Sequence, residues 1–345
     1  MLNKLFSGLD KKFSAEIRGL YHDFCEVLFH KLTPENSLKW KHYKNNAKFT
    51  EPFLEWCKQK KIPVRGHCLV WPEFRRAPKS IERFRSDQEG LGSAIREHIK
   101  FMVNSFNYPV TEWDVLNEAV NHDEYMRILG KDVVKEWFQL VKDMNPNVKR
   151  YINDYSILTK NNVRHRKRYF RYIKGLLDSG VPIDGIGFQS HIPKGFNPTP
   201  PEEIIRIAND FSGLGPELQV TEFDFETSNR DLQAQYTEDF MTAIFSQPKM
   251  TGLITWTPFE YAKNNVPKPE AALIDKDLQF KPNGMVWYEL INKRWMTKTI
   301  VSTDDNGYLK FRGFKGRYLA SISHSKKEIL DIDLSESNEL VVALT

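Results

Sequence analysis

About eight short apolar runs alternate with helix-like stretches over the first 256 residues, and this alternation does most to narrow the fold. The strand-like runs fall at 2–6, 27–32, 63–70, 112–116, 148–152, 185–188, 218–221 and 253–256. Between them, helical candidates fall at 13–25, 52–60, 91–107, 133–144, 163–178, 201–211 and 231–246. Pro200-Pro201-Glu202-Glu203 reads as a helix start, with proline early and acids in the first turn. Strands separated by helices must pair in parallel, because each helix carries the chain back to the same end of the sheet. Eight such units close a (β/α)₈ barrel, a TIM barrel of the α/β class, and roughly 300 residues suits it.

The texture changes after about residue 294. Thr299-Ile300-Val301-Ser302 leads into the turn Asp304-Asp305-Asn306-Gly307, and strand-like runs follow at 308–311, 317–322 and 340–344. The expected organisation is a barrel over 1–296 and a small all-β domain over 297–345. Tyr308, Phe311, Phe314 and Tyr318 are spread along this appendage without a clear cluster. It reads as structural, with sugar binding the alternative.

Charge does not itself argue for nucleic acid as a partner, since 50 basic and 45 acidic residues leave a net charge of only +5. The densest basic stretch, Arg164-His165-Arg166-Lys167-Arg168, lies in a segment with apolar residues at helical spacing and reads as a solvated helix face. No run approaches the ~18 apolar residues of a membrane span. The three cysteines, Cys25, Cys57 and Cys68, signal neither a disulfide framework nor a zinc site. Met1-Leu2-Asn3-Lys4-Leu5-Phe6 lacks an apolar leader core, which leaves an intracellular protein or a removed leader as alternatives.

Two strand-like runs end in glutamates: Thr111 to Glu118, and Leu218 through Glu222 to Asp224. The C-terminal end of barrel strands is where sites are built. Two carboxylates in one cleft are what cleavage of a glycosidic bond requires, one protonated to serve the leaving oxygen and one ionised to attack or to activate water. The other strand ends are polar as well. Glu35, Asn36 and Lys39 follow the second run, His67 and Trp71 close the third, and Asn117 precedes Glu118. Asn153, Asp154 and Tyr155 end the fifth, Gln189 and His191 the sixth, and Trp256 the eighth. A purely structural barrel has no need of such a ring at one face.

These segments resemble glycoside hydrolase family 10, the retaining endo-β-1,4-xylanases. Glu35 to Trp40 match the family's Glu-Asn-x-(Met/Leu)-Lys-Trp stretch, and Arg65 to Trp71 match Arg-Gly-His-x-Leu-Val-Trp. Trp113 to Ala119 match the acid/base motif and Tyr151 to Tyr155 the Tyr-Ile-Asn-Asp-Tyr run. Gly185 to His191 match Gly-Ile-Gly-x-Gln-x-His, and Thr221 to Asp224 the nucleophile motif. The likeness covers about residues 5–295, in order.

The resemblance implies Glu118 as general acid/base and Glu222 as nucleophile of a double displacement on xylan. Asn117 is expected to hydrogen-bond the sugar 2-hydroxyl. His191 is expected on Glu222, oriented by Asp224; alone it would read as a core histidine. Glu35, Asn36, Lys39, His67 and Gln189 are expected to bind substrate. Trp71 and Trp256 are expected to wall the central sugar, with core packing the alternative, and Tyr155 to stack on the aglycone side. The implied mechanism calls for no metal or organic cofactor. The implied partner is a polysaccharide, with neither nucleic acid nor membrane, the chain is expected to be a monomer, and the family implies an extracellular location.

Departures from the family pattern bear on subsites rather than on reaction class. Pro72-Glu73-Phe74 stands where many relatives carry His-Ser-Gln, and residues 257–264 lack a second cleft tryptophan, leaving Phe259 or Tyr261 as substitutes. Two other readings stay open on the sequence: a retaining enzyme for another β-linked glycan, and a glycan-binding barrel without catalysis.

Overall fold

A computed structural model describes residues 23–106, 109–256, 258–260, 269–314, 316–323 and 327–333. The chain divides into two compact units, Met1–Val286 and Trp287–Thr345. Among the described residues no helix is long and apolar enough to cross a membrane.

The larger unit is a (β/α)₈ barrel. Strands β1 (Val64–Gly66), β2 (Val110–Asn117), β3 (Lys149–Asp154), β4 (Gly185–Phe188), β6 (Glu217–Phe225) and β7 (Met250–Thr255) pair in parallel in that order. Leu32 continues the sheet on the β1 side through a parallel bridge to Val64. The short β5 (His191–Ile192) adds to the end of β6, with His191 opposite Asp224. The expected strand at 2–6 lies outside the described residues. Helices α1 (Tyr43–Gln59), α2 (Gln88–Ser105), α3 (Glu124–Leu129), α4 (Val133–Met144), α5 (Val163–Asp178), α6 (Pro201–Ser212) and α7 (Arg230–Phe245) fill the connections.

The strands are buried almost without interruption: every residue of β4, and all but the first of β6. That follows from a parallel sheet covered on both faces, which favours continuous apolar runs over alternation. Close approaches fix some positions as glycine. A Cβ on Gly66 would lie 2.2 Å from the buried Trp113 ring, and one on Gly187 2.4 Å from Oδ1 of Asn153. Asp87 caps α2 through the Gly90 amide at 2.8 Å, and Asn229 caps α7 through the Leu232 amide at 3.0 Å.

Several expectations need correction. Residues 23–28 are helical and only Leu32 of the run 27–32 joins the sheet. Cys25 and Leu28 are buried while Val27 is exposed, the three-residue spacing of a helix face. Helix α1 begins nine residues before Pro52, because its buried stripe Thr50, Phe53, Leu54 and Cys57 extends back past the proline. Phe259 bridges Ile274 and is buried, so it serves as core packing rather than as a cleft wall. Tyr261 lies outside the described residues.

In the second unit, β8 (Arg317–Ser323) and β9 (Lys327–Asp333) form an antiparallel hairpin. Asp304 makes its turn as expected, its Oδ1 accepting from the amides of Asn306 and Tyr308 at 3.0 and 2.8 Å, with Gly307 at φ +83°. Residues 308–311 do not continue as a strand, and 327–333 supply the partner that the sequence reading missed. The run at 340–344 lies outside the described residues.

Candidate active site

Below the strand ends, the barrel interior holds a buried charge cluster. The Arg65 guanidinium donates to Glu112 at 2.9 Å, to Gln219 at 3.0 Å and to Asp114, and lies 4.3 Å from the Tyr151 ring centre. Asp114 turns its other oxygen to Nδ1 of His67 at 2.8 Å. His67 is thereby fixed from below.

Two carboxylates sit above this floor. Glu118 directly follows β2 and Glu222 lies near the end of β6, and both are buried. Glu118 adopts φ +55°, and Ser156 and Ser190, at corresponding turns after β3 and β4, take φ +54° and +64°. Non-glycine residues rarely occupy this left-handed region, so the chain holds these strand-end turns at a cost of about 1 kcal/mol or more each. The Glu118 amide donates to the Asn153 carbonyl at 2.8 Å, which secures its turn.

Glu118 Oε1 accepts from Gln189 Nε2 at 2.9 Å. Glu222 accepts from Asn153 Nδ2 at 3.1 Å on one oxygen, and its other oxygen lies 3.1 Å from His191 Nε2. The opposite nitrogen of His191 lies 2.7 Å from Asp224. The two environments push the carboxyls apart. Burial raises Glu118 to about 7, with the negative charges of Glu222 and Asp154 adding to the effect and the Gln189 hydrogen bond opposing it. Burial also acts to raise Glu222, but the His191 hydrogen bond and the fields of His67, His191 and Lys39 outweigh it and leave that carboxyl at about 2. Burial acts to lower His191, yet Asp224 and Glu222 prevail and carry it to about 9.

The remaining expected residues surround this pair. Lys39 Nζ donates to Asn36 at 3.0 Å and stands 5.3 and 5.8 Å from the ring centres of Trp71 and Trp256. Trp256 in turn lies edge-on to His67 and His191 at 5.8 and 5.9 Å. Glu35 is buried in the turn after Leu32. Asn117 is buried; its Oδ1 accepts from Asn153 at 3.1 Å, while its own Nδ2 has no hydrogen-bond partner among the described residues. Tyr155 stands apart from the carboxylates, stacked on His165 at 4.8 Å with its hydroxyl accepting from Asn121.

Residues outside the expected set also belong here. Asn153, visible in the sequence as one of the polar residues ending the fifth run but given no role there, bridges Asn117 and Glu222. His122 lies 3.4 Å from Glu118, four residues on, and contacts Glu73. Arg76 covers Trp71, its guanidinium 3.9 Å from the ring centre. Among the described residues no group of His, Cys, Asp and Glu is arranged to hold a metal ion, and the three cysteines are buried. One raised and one depressed carboxyl, each oriented by hydrogen bonds, can respectively donate a proton and attack.

The sequence pattern of glycosyl hydrolase family 10 matches residues 10–290. A β-1,4-xylanase of Dictyoglomus thermophilum is 33% identical over 219 residues, covering 59% of each chain. An endo-1,4-β-xylanase of Arabidopsis thaliana is 26% identical over 317 residues, 89% of this chain but 32% of its own length. The chain thus spans about a third to somewhat over half of these relatives. The crystal structure of xylanase 10B from Thermotoga maritima superposes with a TM-score of 0.71 at 27% identity, covering 82% of this chain and 92% of that one.

Proposed function

The chain belongs to glycosyl hydrolase family 10, and from that premise we propose that it cleaves internal β-1,4-xylosidic linkages of xylan with retention of configuration. The observation that carries this reading is the opposed tuning of the two carboxyls, Glu118 raised to about 7 and Glu222 held at about 2. In a double displacement, Glu222 attacks the anomeric carbon while Glu118 gives its proton to the leaving oxygen. Water, deprotonated by Glu118, then releases the sugar from Glu222 and restores the acid. Once Glu222 is esterified its negative charge is gone, so one cause of the raised Glu118 pKa disappears when that residue must act as a base.

Around this chemistry, His191 and Asp224 hold Glu222 ionised and aimed. The unpartnered Nδ2 of Asn117 is suited to a sugar hydroxyl beside the nucleophile. Glu35, Asn36, Lys39 and His67 line the glycone side, Trp71 and Trp256 wall the central sugar, and Gln189 orients Glu118. Tyr155 offers a ring for the aglycone. The polysaccharide partner supported by the named relatives is xylan.

A second reading, a retaining enzyme for another β-linked glycan, is favoured by one observation. Arg76 covers Trp71 and pairs with Glu73, which belongs to the Pro72-Glu73-Phe74 segment where many relatives carry His-Ser-Gln. Product release from soluble xylan by wild type and Glu222→Gln, with the anomer followed by proton NMR, separates the readings. Release of β-product that is lost in the variant is the expected result. Cleavage of a β-glucan in its place would retain the mechanism and replace the substrate. Binding without release from any glycan would overturn the enzymatic reading.

A further inference from the structure

This inference rests on the reading of Glu118 as acid/base. Each oxygen of its carboxyl has a separate neighbour. Gln189 donates to Oε1, while Oε2 lies 3.4 Å from Nε2 of His122. The other ring nitrogen of His122 lies 3.3 Å from Oε2 of Glu73. Glu73 is fixed in turn by Arg75 Nε at 2.6 Å and Arg76 Nε at 3.6 Å. The His122 ring also stands edge-on to Trp71, 6.4 Å between centres. The cleft therefore contains one hydrogen-bonded acid–imidazole–acid chain, Glu222–His191–Asp224, and a looser grouping in which His122 stands at ion-pair distance between Glu118 and Glu73. That grouping runs through Pro72-Glu73-Phe74, where this sequence departs from the family pattern.

We propose that His122, anchored by Glu73, is a positioning residue that steers the second oxygen of Glu118 and sets the pH at which that carboxyl ionises. An imidazole with a carboxylate oxygen at each nitrogen can donate to both only when it carries two N–H groups. In that form its charge favours the ionised state of Glu118 and opposes the effects of burial and of Glu222. The charged groups facing His122 are Glu118 from its own loop and Glu73, with Arg75 and Arg76 behind it, from the loop after Trp71. The adjacent acids are turned to other partners: Asp123 to Arg127 at 2.9 Å and Glu124 to Arg85 at 3.9 Å.

Replacing His122 by Asn keeps one amide donor and removes the ring that can take up a proton. The Glu118 titration should then rise by about half a unit to one unit, the low end for an ion pair because these side chains are partly exposed. Glu73→Gln keeps an acceptor for Nδ1 but removes the anion that favours the charged ring, so it should shift Glu118 in the same direction by less. The direct readout is carbon-13 NMR of protein labelled at the glutamate side-chain carboxyls, with Glu118 assigned through Glu118→Gln. It works whether or not any glycan is cleaved, so failure of the hydrolase reading and failure of this one are told apart. An upward shift in both variants supports the proposal. An unchanged or lowered Glu118 titration in His122→Asn overturns it, and a shift there with none in Glu73→Gln removes Glu73 from it. Should His122→Asn not fold, His122→Gln, which also keeps an amide donor, is read in its place: an upward shift supports the proposal and an unchanged or lowered titration overturns it.

Discussion

Asn153 donates its side-chain amide to Glu222 at 3.1 Å, and the same nitrogen reaches Oδ1 of Asn117 at the same distance. The carbonyl oxygen of the amide accepts from Thr221 Oγ1 at 2.8 Å, which fixes the orientation of the group. The arrangement exists because β3 lies between β2 and β4 with Asn117 and Asn153 in register. Asn153→Ala should lower kcat/KM on a glycan by about 10²-fold, as for removal of a preorganised donor. It should also cost about 1–3 kcal/mol, because buried partners lose their bonds. Steady-state kinetics with urea denaturation checks both, and a variant with unimpaired turnover would remove Asn153 from the site.

His191 controls the acid side of the pH profile. Glu222 must be ionised to attack, and its depressed pKa depends on the His191 hydrogen bond. In His191→Asn that carboxyl should climb toward the ordinary range near 4.3, so the acid limb of kcat/KM moves to higher pH. The stability consequence has two edges. Glu222, depressed in the fold, contributes stability above about pH 4.3 and loses it as pH falls through about 2. His191, raised in the fold to about 9, contributes fully below about 6.5 and loses its contribution as pH rises through about 9. The melting-temperature gap between wild type and His191→Asn should therefore be widest between about pH 4.5 and 6.5. A gap that does not vary with pH would mean that the ion pair adds nothing.

The parts of this molecule legible in the sequence share one property: their signal lies within a single segment. The barrel strands read as apolar runs because both of their faces are covered, and Glu118 and Glu222 were visible as polar ends of such runs. Signals failed where packing decides. Residues 27–32 are too short a run to separate strand from helix, and the burial of Cys25 and Leu28 resolves them only in three dimensions. Pro52 resembled a helix start, but the apolar stripe behind it continues back to Thr50. His122 and Glu73 are 49 residues apart on different loops, and no spacing announces their meeting.

The charge cluster under the site should govern stability rather than turnover. Arg65 is fully buried and balances Glu112 and Asp114, which are buried with it. Burial alone would lower its pKa, but the two acids and their hydrogen bonds raise it, so it stays charged. Arg65→Ala removes the cation shared by two buried carboxylates, leaving, among the described residues, Glu112 only Lys31 at 2.5 Å and Asp114 only His67 at 2.8 Å, and should cost about 3–5 kcal/mol. Because Asp114 also holds His67, the variant should show weaker substrate binding if it folds. Chemical denaturation tests the first expectation, and a loss below 1 kcal/mol would contradict the buried pair as drawn.

Glu118 should govern the alkaline side. Its proton must be present for the leaving oxygen, and burial sets its pKa at about 7, so kcat/KM should fall as pH rises through that value. Glu118→Ala should lower kcat on a polysaccharide by about 10²–10⁴-fold, the range for a lost general acid. An aryl glycoside whose leaving group needs no proton should still form the glycosyl-enzyme at a near-normal rate, then stall for want of a base. A burst of aryl alcohol followed by slow turnover is the expected trace. Added azide, an anion that needs no deprotonation, should restore turnover by attacking the intermediate and yield the β-glycosyl azide. Equal losses on both substrates with no burst and no rescue would take the proton-transfer role away from Glu118.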